Sequence, residues 1–407
     1  MQLHNSMFRL TLIAMAGLSH SVYAQQTEYL AMFDPTDTWV PYADASYTYD
    51  SNLFRTPTAL IGPQPTSDTS WRKEAGLTVD EVFSSEHLTA KFDVNKTTFN
   101  RFSVIDYQGK DAMANLGWVI TDELTGALGT SYSQSLTPYT QFHLAQANLR
   151  SQKNDFLNEA WLATPNWQLH SNLSKSSLQY DLASQQYADN FIRDVDFGVD
   201  YLSDAQNKIG VTIRRERGTY PNEQIIGSSS INNNYTQNQL LGDASYAFNG
   251  MTSLELTGGW LRRAHDYFSV RDVSGPTIQL NLNYVPTGKL SMSFSAWRSI
   301  NSTDALTVSY TVNKGLSYGA VWNAAPRIQV AASLRQESLD YTGASVLTAL
   351  LPQDRIDIMR SESLNLTYTP LQQIQASLAV YGTQLSSNTS FIAFRDQGAS
   401  LNVRLSF

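Results

Sequence analysis

The 407-residue chain carries 42% apolar and only 16% charged residues, no cysteine and a formal net charge of −8. The missing cysteines exclude a disulfide framework, Cys-ligated zinc and a thiol nucleophile, and the acidic balance gives no electrostatic footprint for nucleic acid, whose binding needs clustered Lys and Arg. Beyond residue 24 no apolar run approaches the roughly 20 residues of a membrane-spanning helix. Nothing in the chain implies a metal or a cofactor.

At the start of the chain, Arg9 precedes an apolar run from Leu10 to Leu18 and a small-residue motif, Val22-Tyr23-Ala24. This pattern predicts a secretory signal peptide over 1–24, cleaved after Ala24. The run is too short to span a bilayer as a helix. Residues 25–38 read as a short periplasmic lead, and 39–407 as one domain in the outer membrane of a Gram-negative cell.

Within 39–407, segments of alternating apolar and polar residues recur at 39–49, 71–81, 86–99, 110–120, 124–134, 153–163, 167–180, 191–203 and 207–217. They continue at 236–248, 252–264, 276–285, 289–300, 307–322, 327–339, 360–369, 373–385 and 398–407. Period-2 alternation is the signature of a strand with one face in lipid and one in water. The segments predict an all-β, up-and-down, antiparallel transmembrane barrel of about eighteen strands, with sixteen the alternative. Val195, Phe197, Val199 and Tyr201 alternate with Asp194, Asp196 and Asp200. Three carboxylates on one face fit a wet lumen and not a dry core.

The connections alternate too. Ser84-Ser85, Thr121-Asp122-Glu123, Thr164-Pro165-Asn166, Asn249-Gly250-Met251 and Pro286-Thr287-Gly288 are short and turn-forming, while 50–70, 135–152, 218–235 and 340–359 are long and polar. Short periplasmic turns and long outer loops organise such barrels. With odd strands running outward, Trp39, Trp118, Trp161, Trp167 and Trp322 fall at periplasmic strand ends, where amphipathic rings settle; Trp71, Trp260 and Trp297 fall elsewhere. The chain closes on Leu401-Asn402-Val403-Arg404-Leu405-Ser406-Phe407, strictly alternating and ending on an aromatic.

The same alternation points Lys91, Asp93, Glu159, Asp194, Asp196, Asp200, Arg214, Glu216, Asp243, Glu255, Arg335, Glu337 and Arg404 inward. A mixed, acid-leaning wall predicts a cross-lumen network and a modest preference for cations. Tyr107, Tyr139, Phe142, Tyr187, Tyr220 and Tyr235 are candidates to stack on sugar rings, and the 135–152 loop is the candidate to fold inward as a constriction.

The first strand ends in Tyr49-Asp50-Ser51-Asn52-Leu53-Phe54-Arg55. A strand ending in Tyr-Asp-x-Asn-Leu-Phe-Arg resembles the exosortase-associated exopolysaccharide-biosynthesis outer-membrane proteins of the EpsL type, within the second class of β-barrel porins. The resemblance covers the signal, this motif, the length and the terminal Phe. It implies a conduit that passes growing polysaccharide through an aqueous lumen, working beside periplasmic export components. A general diffusion or uptake porin for small polar solutes is the alternative. Two readings of Tyr49, Asp50, Asn52, Phe54 and Arg55 stand side by side: a local turn built by Asp and Asn at the outer rim, or a gate touching polymer. Of the histidines beyond residue 24, His87, His143, His170 and His265, none lies in a hydrolase or metalloprotease motif, and an enzyme is not expected.

Overall fold

The computed structural model describes residues 38–140, 145–205, 207–226, 229–302, 310–342, 355–389 and 391–407. The expected signal peptide, and the lead up to residue 37, lie outside them. In chain order the strands are β1 (Trp39–Asp50), β2 (Asp68–Phe83), β3 (Glu86–Phe99), β4 (Tyr107–Val119), β5 (Leu124–Leu136), β6 (Leu149–Thr164), β7 (Trp167–Tyr180), β8 (Asn190–Leu202), β9 (Lys208–Thr219) and β10 (Gln224–Ile226). They continue with β11 (Ser229–Ile231), β12 (Tyr235–Asn249), β13 (Thr252–His265), β14 (Val273–Thr287), β15 (Leu290–Ser302), β16 (Tyr310–Ala325), β17 (Ile328–Thr342), β18 (Arg355–Leu371), β19 (Ile374–Ser387) and β20 (Phe394–Ser406).

Eighteen of these form one antiparallel sheet, while β10 and β11 pair only with each other in the connection from β9 to β12. The sheet closes on itself, because β1 pairs with both β2 and β20, setting Asp50 opposite Asp68 on one side and Gly398 on the other. Closure leaves no edge strand open to lipid, which offers no hydrogen-bond partners. Among the described residues no helix is long and apolar enough to cross a membrane.

The two faces differ as the alternation requires. On β8, Val195 and Phe197 are 51% and 48% exposed, whereas Asp196 and Asp200 between and beside them are 5% and 1% exposed. The low-exposure face is the interior of the closed sheet. All eighteen alternating segments are strands of the barrel, and several begin earlier than their alternation suggests: β2 at Asp68, β6 at Leu149 and β18 at Arg355. These extensions lie at the outer ends. There both faces meet water, so the ladder continues through polar sequence that carries no alternation.

At the opposite ends, several of the short turns follow bulges. Pairing shifts register between Tyr284 and Thr287, and again between Tyr368 and Leu371. Pro286 and Pro370 fall in those gaps, where a missing N–H costs nothing. Trp39, Trp161, Trp167 and Trp322 are all about half exposed or more at this end, and Trp167 meets Tyr201 edge-on at 5.4 Å. Trp71 and Trp260 face outward near the other end. Trp297 faces inward.

Glu159 corrects one inward assignment. Leu157 lies opposite outward-facing Leu128 and Leu173, and Glu159 shares their face, opposite Gly126 and Ser171. Ser171 Oγ donates to its carboxylate at 3.2 Å. Sequence phase is ambiguous here because Phe156-Leu157 and Trp161-Leu162 each offer two apolar neighbours. The structure turns Trp161 outward and lays Phe156 inside, over Gly129. Outside, Glu159 sits one residue pair from the Trp161 girdle, at headgroup level.

Phe197 lies midway along the outer face of β8, four residues from Tyr201 at the periplasmic girdle. Phe197→Arg is expected to lose about 2–4 kcal/mol of folding stability in vesicles, measured by denaturant titration; unchanged stability would place this face out of lipid.

Candidate functional site: the enclosed face of the barrel

The interior wall is a set of short ionic networks, each tying several neighbouring strands. Across β20, β1, β2 and β3, the Tyr42 hydroxyl donates to Glu74 at 2.8 Å and to Asp93 at 3.2 Å. Arg72 pairs with Glu74 at 2.7 Å, Lys91 pairs with Asp93 at 3.3 Å, and the Arg404 guanidinium lies 3.8 Å from the Tyr42 ring centre. Burying a phenol and two carboxylates here is tolerable because cations and donors surround them.

On β8, β9 and β12 the charges form two tiers. In the periplasmic tier Asp200 takes His170 Nδ1 at 2.8 Å and Lys208 at 3.6 Å, while His170 Nε2 meets Thr212 Oγ1 at 3.2 Å. Thr212 also donates to Asp243 at 3.1 Å. In the outer tier Arg214 grips Asp196 in a fork, Nε to Oδ1 at 2.7 Å and Nη2 to Oδ2 at 2.6 Å, with Asp194 at 3.7 Å. The Tyr235 hydroxyl donates to Glu216 at 2.7 Å, and Arg263 stacks on the Tyr235 ring at 4.3 Å. Gly218 makes this possible, since a Cβ there would come within 2.2 Å of that ring.

A third network spans β15 to β17. Trp297 Nε1 and Arg335 both donate to Glu337, at 3.2 and 2.9 Å, and Arg335 stacks on Trp297 at 4.2 Å. Trp297 lies flat over Gly315. On β18 Arg355 holds Asp357, which is 1% exposed, and stacks on Tyr341. Glu255 has no ion-pair partner among the described residues. Lys91, Asp93, Asp194, Asp196, Asp200, Arg214, Glu216, Asp243, Glu255, Arg335, Glu337 and Arg404 therefore share the enclosed face; Glu159 does not. The alternation equally marks Glu74, Lys208 and Arg263. Asp357, Arg355 and Asp396 lie in strand extensions that it does not reach.

At the outer rim Asp50 accepts the Asn52 N–H at 2.9 Å, closing a tight turn. Arg55, left-handed at φ 53°, bridges Asp50 at 2.9 Å and Asp396 at 3.0 Å. Tyr49 faces outward and is 44% exposed. Phe54 enters an apolar knot with Ile105, Tyr107, Leu136 and Tyr139, stacked edge-on against Phe102 and Tyr139. Ala147 and Leu182 pack on the knot, which joins the outer connections after β1, β3, β5 and β7.

Most sugar-stacking candidates are already occupied. Tyr107, Tyr139, Tyr220 and Tyr235 are buried; Tyr187 lies in the short 3-10 turn between β7 and β8; Phe142 and His143 fall outside the described residues. His87 meets Asp80 at 2.7 Å, and the His265 backbone N–H donates to Asp272 at 2.8 Å. Among the described residues no group of three His, Asp or Glu is placed to hold a metal.

A closed eighteen-stranded antiparallel barrel with an apolar outer face and an ionic inner one is a porin-type outer-membrane barrel. It matches the structure of OpdK from Pseudomonas aeruginosa, crystallised with vanillate, with a TM-score of 0.50 at 8% identity, over 91% of this chain and 99% of that one. A BenF-like porin from Pseudomonas fluorescens Pf-5 gives 0.49 at 10% identity, over 91% and 99%. The siderophore receptor PirA of Pseudomonas aeruginosa gives 0.44 at 11%, over 92% and 81%. At these identities the likeness is one of fold. The chain matches no protein-family model and no curated protein.

Arg214→Ala would strand the Asp196 carboxylate, 5% exposed, and is expected to cost about 2–3 kcal/mol. Adding Asp196→Asn should recover a large part of that loss in an equilibrium-unfolding double-mutant cycle. Additive losses would show that the fork contributes no coupling.

Proposed function

We propose that this barrel is a passive aqueous conduit for polar solutes, with an exopolysaccharide leaving the cell as its cargo. The observation that carries the first part is the enclosed wall: carboxylates, guanidinium groups, amides and hydroxyls, mixed in sign and leaning acidic. Such a wall offers hydrogen bonds to hydroxyl-rich solutes and holds cations better than anions. Support for the cargo is the resemblance of Tyr49 to Arg55 to the EpsL-type proteins, under which periplasmic export components would feed the lower mouth. The Arg55 bridge gives that stretch a structural use of its own, since it seats the outer loops on the first and last strands.

Uptake of small polar solutes is the second reading, favoured by the likeness to the porin OpdK. Its mature chain would begin at Gln25 in either case.

In planar bilayers the purified barrel is expected to conduct and to shift its reversal potential toward cations in a salt gradient. Anion preference would overturn the electrostatic reading of the wall. Deleting the gene should lower surface polysaccharide without slowing growth on limiting small solutes; the opposite pair of results assigns the barrel to uptake.

A further inference from the structure

The pleat sorts the outward-facing cations to one height. On the lipid-facing parity of β2, β3, β4, β6, β7, β8, β9, β13, β15, β16, β18 and β20, every Lys or Arg lies in the outer half of its strand, from seven residues (Arg215, from Lys208) to eleven (Arg395, from Ser406) beyond the periplasmic end. At roughly 3.3 Å per residue and the tilt of such barrels, that is about the 25 Å height of an apolar band. Aromatic rings mark the lower edge of the band, and cations mark the upper one.

The cations are densest from β7 to β13, on β7, β8, β9 and β13. Lys175 stands directly opposite Arg193, and Arg193 directly opposite Arg217. One tier below, Arg215 and Arg262 flank Asn238 from either side. Like charges directly opposed on neighbouring strands repel. Part of this charge is answered within the protein: Asp155 lies opposite Lys175, and Asp266 takes two hydrogen bonds from Arg217, 2.7 Å for the Nη1 bond, which hold its carboxyl below the usual range. Arg193, Arg215 and Arg262 are exposed and have no carboxylate partner among the described residues. Across three strand spacings, roughly 14 Å, they face the level where outer-leaflet headgroups begin.

We infer that this face binds the phosphate groups of a phosphorylated outer-leaflet lipid. Guanidinium groups match phosphate oxygens in bidentate geometry, and the apolar residues beneath, Val195, Ile213 and Leu240, are exposed to receive its acyl chains. The inference rests on the placement of the barrel in the outer membrane and not on its cargo. Conductance can therefore fail while lipid binding stands, and the reverse.

The test uses the mature barrel in zwitterionic detergent, titrated with bisphosphorylated lipid A, with the same lipid dephosphorylated, and with inorganic phosphate, read by native mass spectrometry. The phosphorylated lipid should bind at least tenfold tighter than the dephosphorylated one. Combined Arg193→Gln, Arg215→Gln and Arg262→Gln should lose at least tenfold, and the matching triple Lys variant, which keeps the charge but not the bidentate fork, should lose less than the Gln variant. Equal affinity for the dephosphorylated lipid would overturn the inference, as would an unaffected Gln variant. Inorganic phosphate that displaces the lipid at equal concentration would reassign the site to a free anion. If the Gln variant does not refold, the comparison of lipids on the parent protein still decides.

Discussion

Hydrocarbon offers no hydrogen bonds, and from that single constraint the architecture follows. A sheet can stand in lipid only if its last strand pairs with its first. Here the ladder from Tyr42–Ser406 to Asp50–Gly398 makes that join. Once the sheet is closed, the pleat has an inside and an outside, and each residue's parity fixes its solvent. Val195 and Asp196 are neighbours in sequence yet belong to different media.

The inside must then handle many charges without a dry core. It does so by pairing them laterally, strand to strand. The Asp196–Arg214 fork, the Glu337 cradle of Trp297 and Arg335, and the Tyr42 cluster each span only a few strands. Large side chains are laid flat on glycines of adjacent strands, as Tyr235 is on Gly218 and Trp297 on Gly315. Such folding of side chains onto the wall keeps charged groups buried at the surface of the lumen. Pairing stiffens the wall, while Glu255 faces the lumen with no ion-pair partner among the described residues.

Alternation made the barrel legible, because period 2 is imposed wherever lipid touches one face. The strand number, the short turns and the periplasmic tryptophans all follow from it. Its reach ends where the physical demand ends. Above the band, Asp68, Leu149 and Arg355 begin strands in water on both faces, so no pattern announces them. Within the band, Phe156-Leu157 and Trp161-Leu162 let two phases fit, and Glu159 is assigned to the wrong side. The rim motif is legible as residues, and its turn at Asp50 and Asn52 follows from their side chains. The reach of Arg55 to Asp396 is not, for that partner is supplied by the far end of the chain and only closure brings them together.

The net charge of −8 describes neither face. Acidic residues outnumber basic ones along the inner wall, whereas the outer wall concentrates Lys and Arg at its upper edge and sets none on its strands near the lower. A single pleated sheet thus carries two fields of opposite sense, separated by the thickness of one backbone. The inner field faces the lumen, and the outer one faces the leaflet that surrounds the mouth. Because both are written by parity, shifting one strand by a single residue would exchange them. Register, pinned by the turn bulges at Tyr284 and Tyr368 and by the β1–β20 join, is therefore the quantity on which wall charge and membrane seating jointly depend.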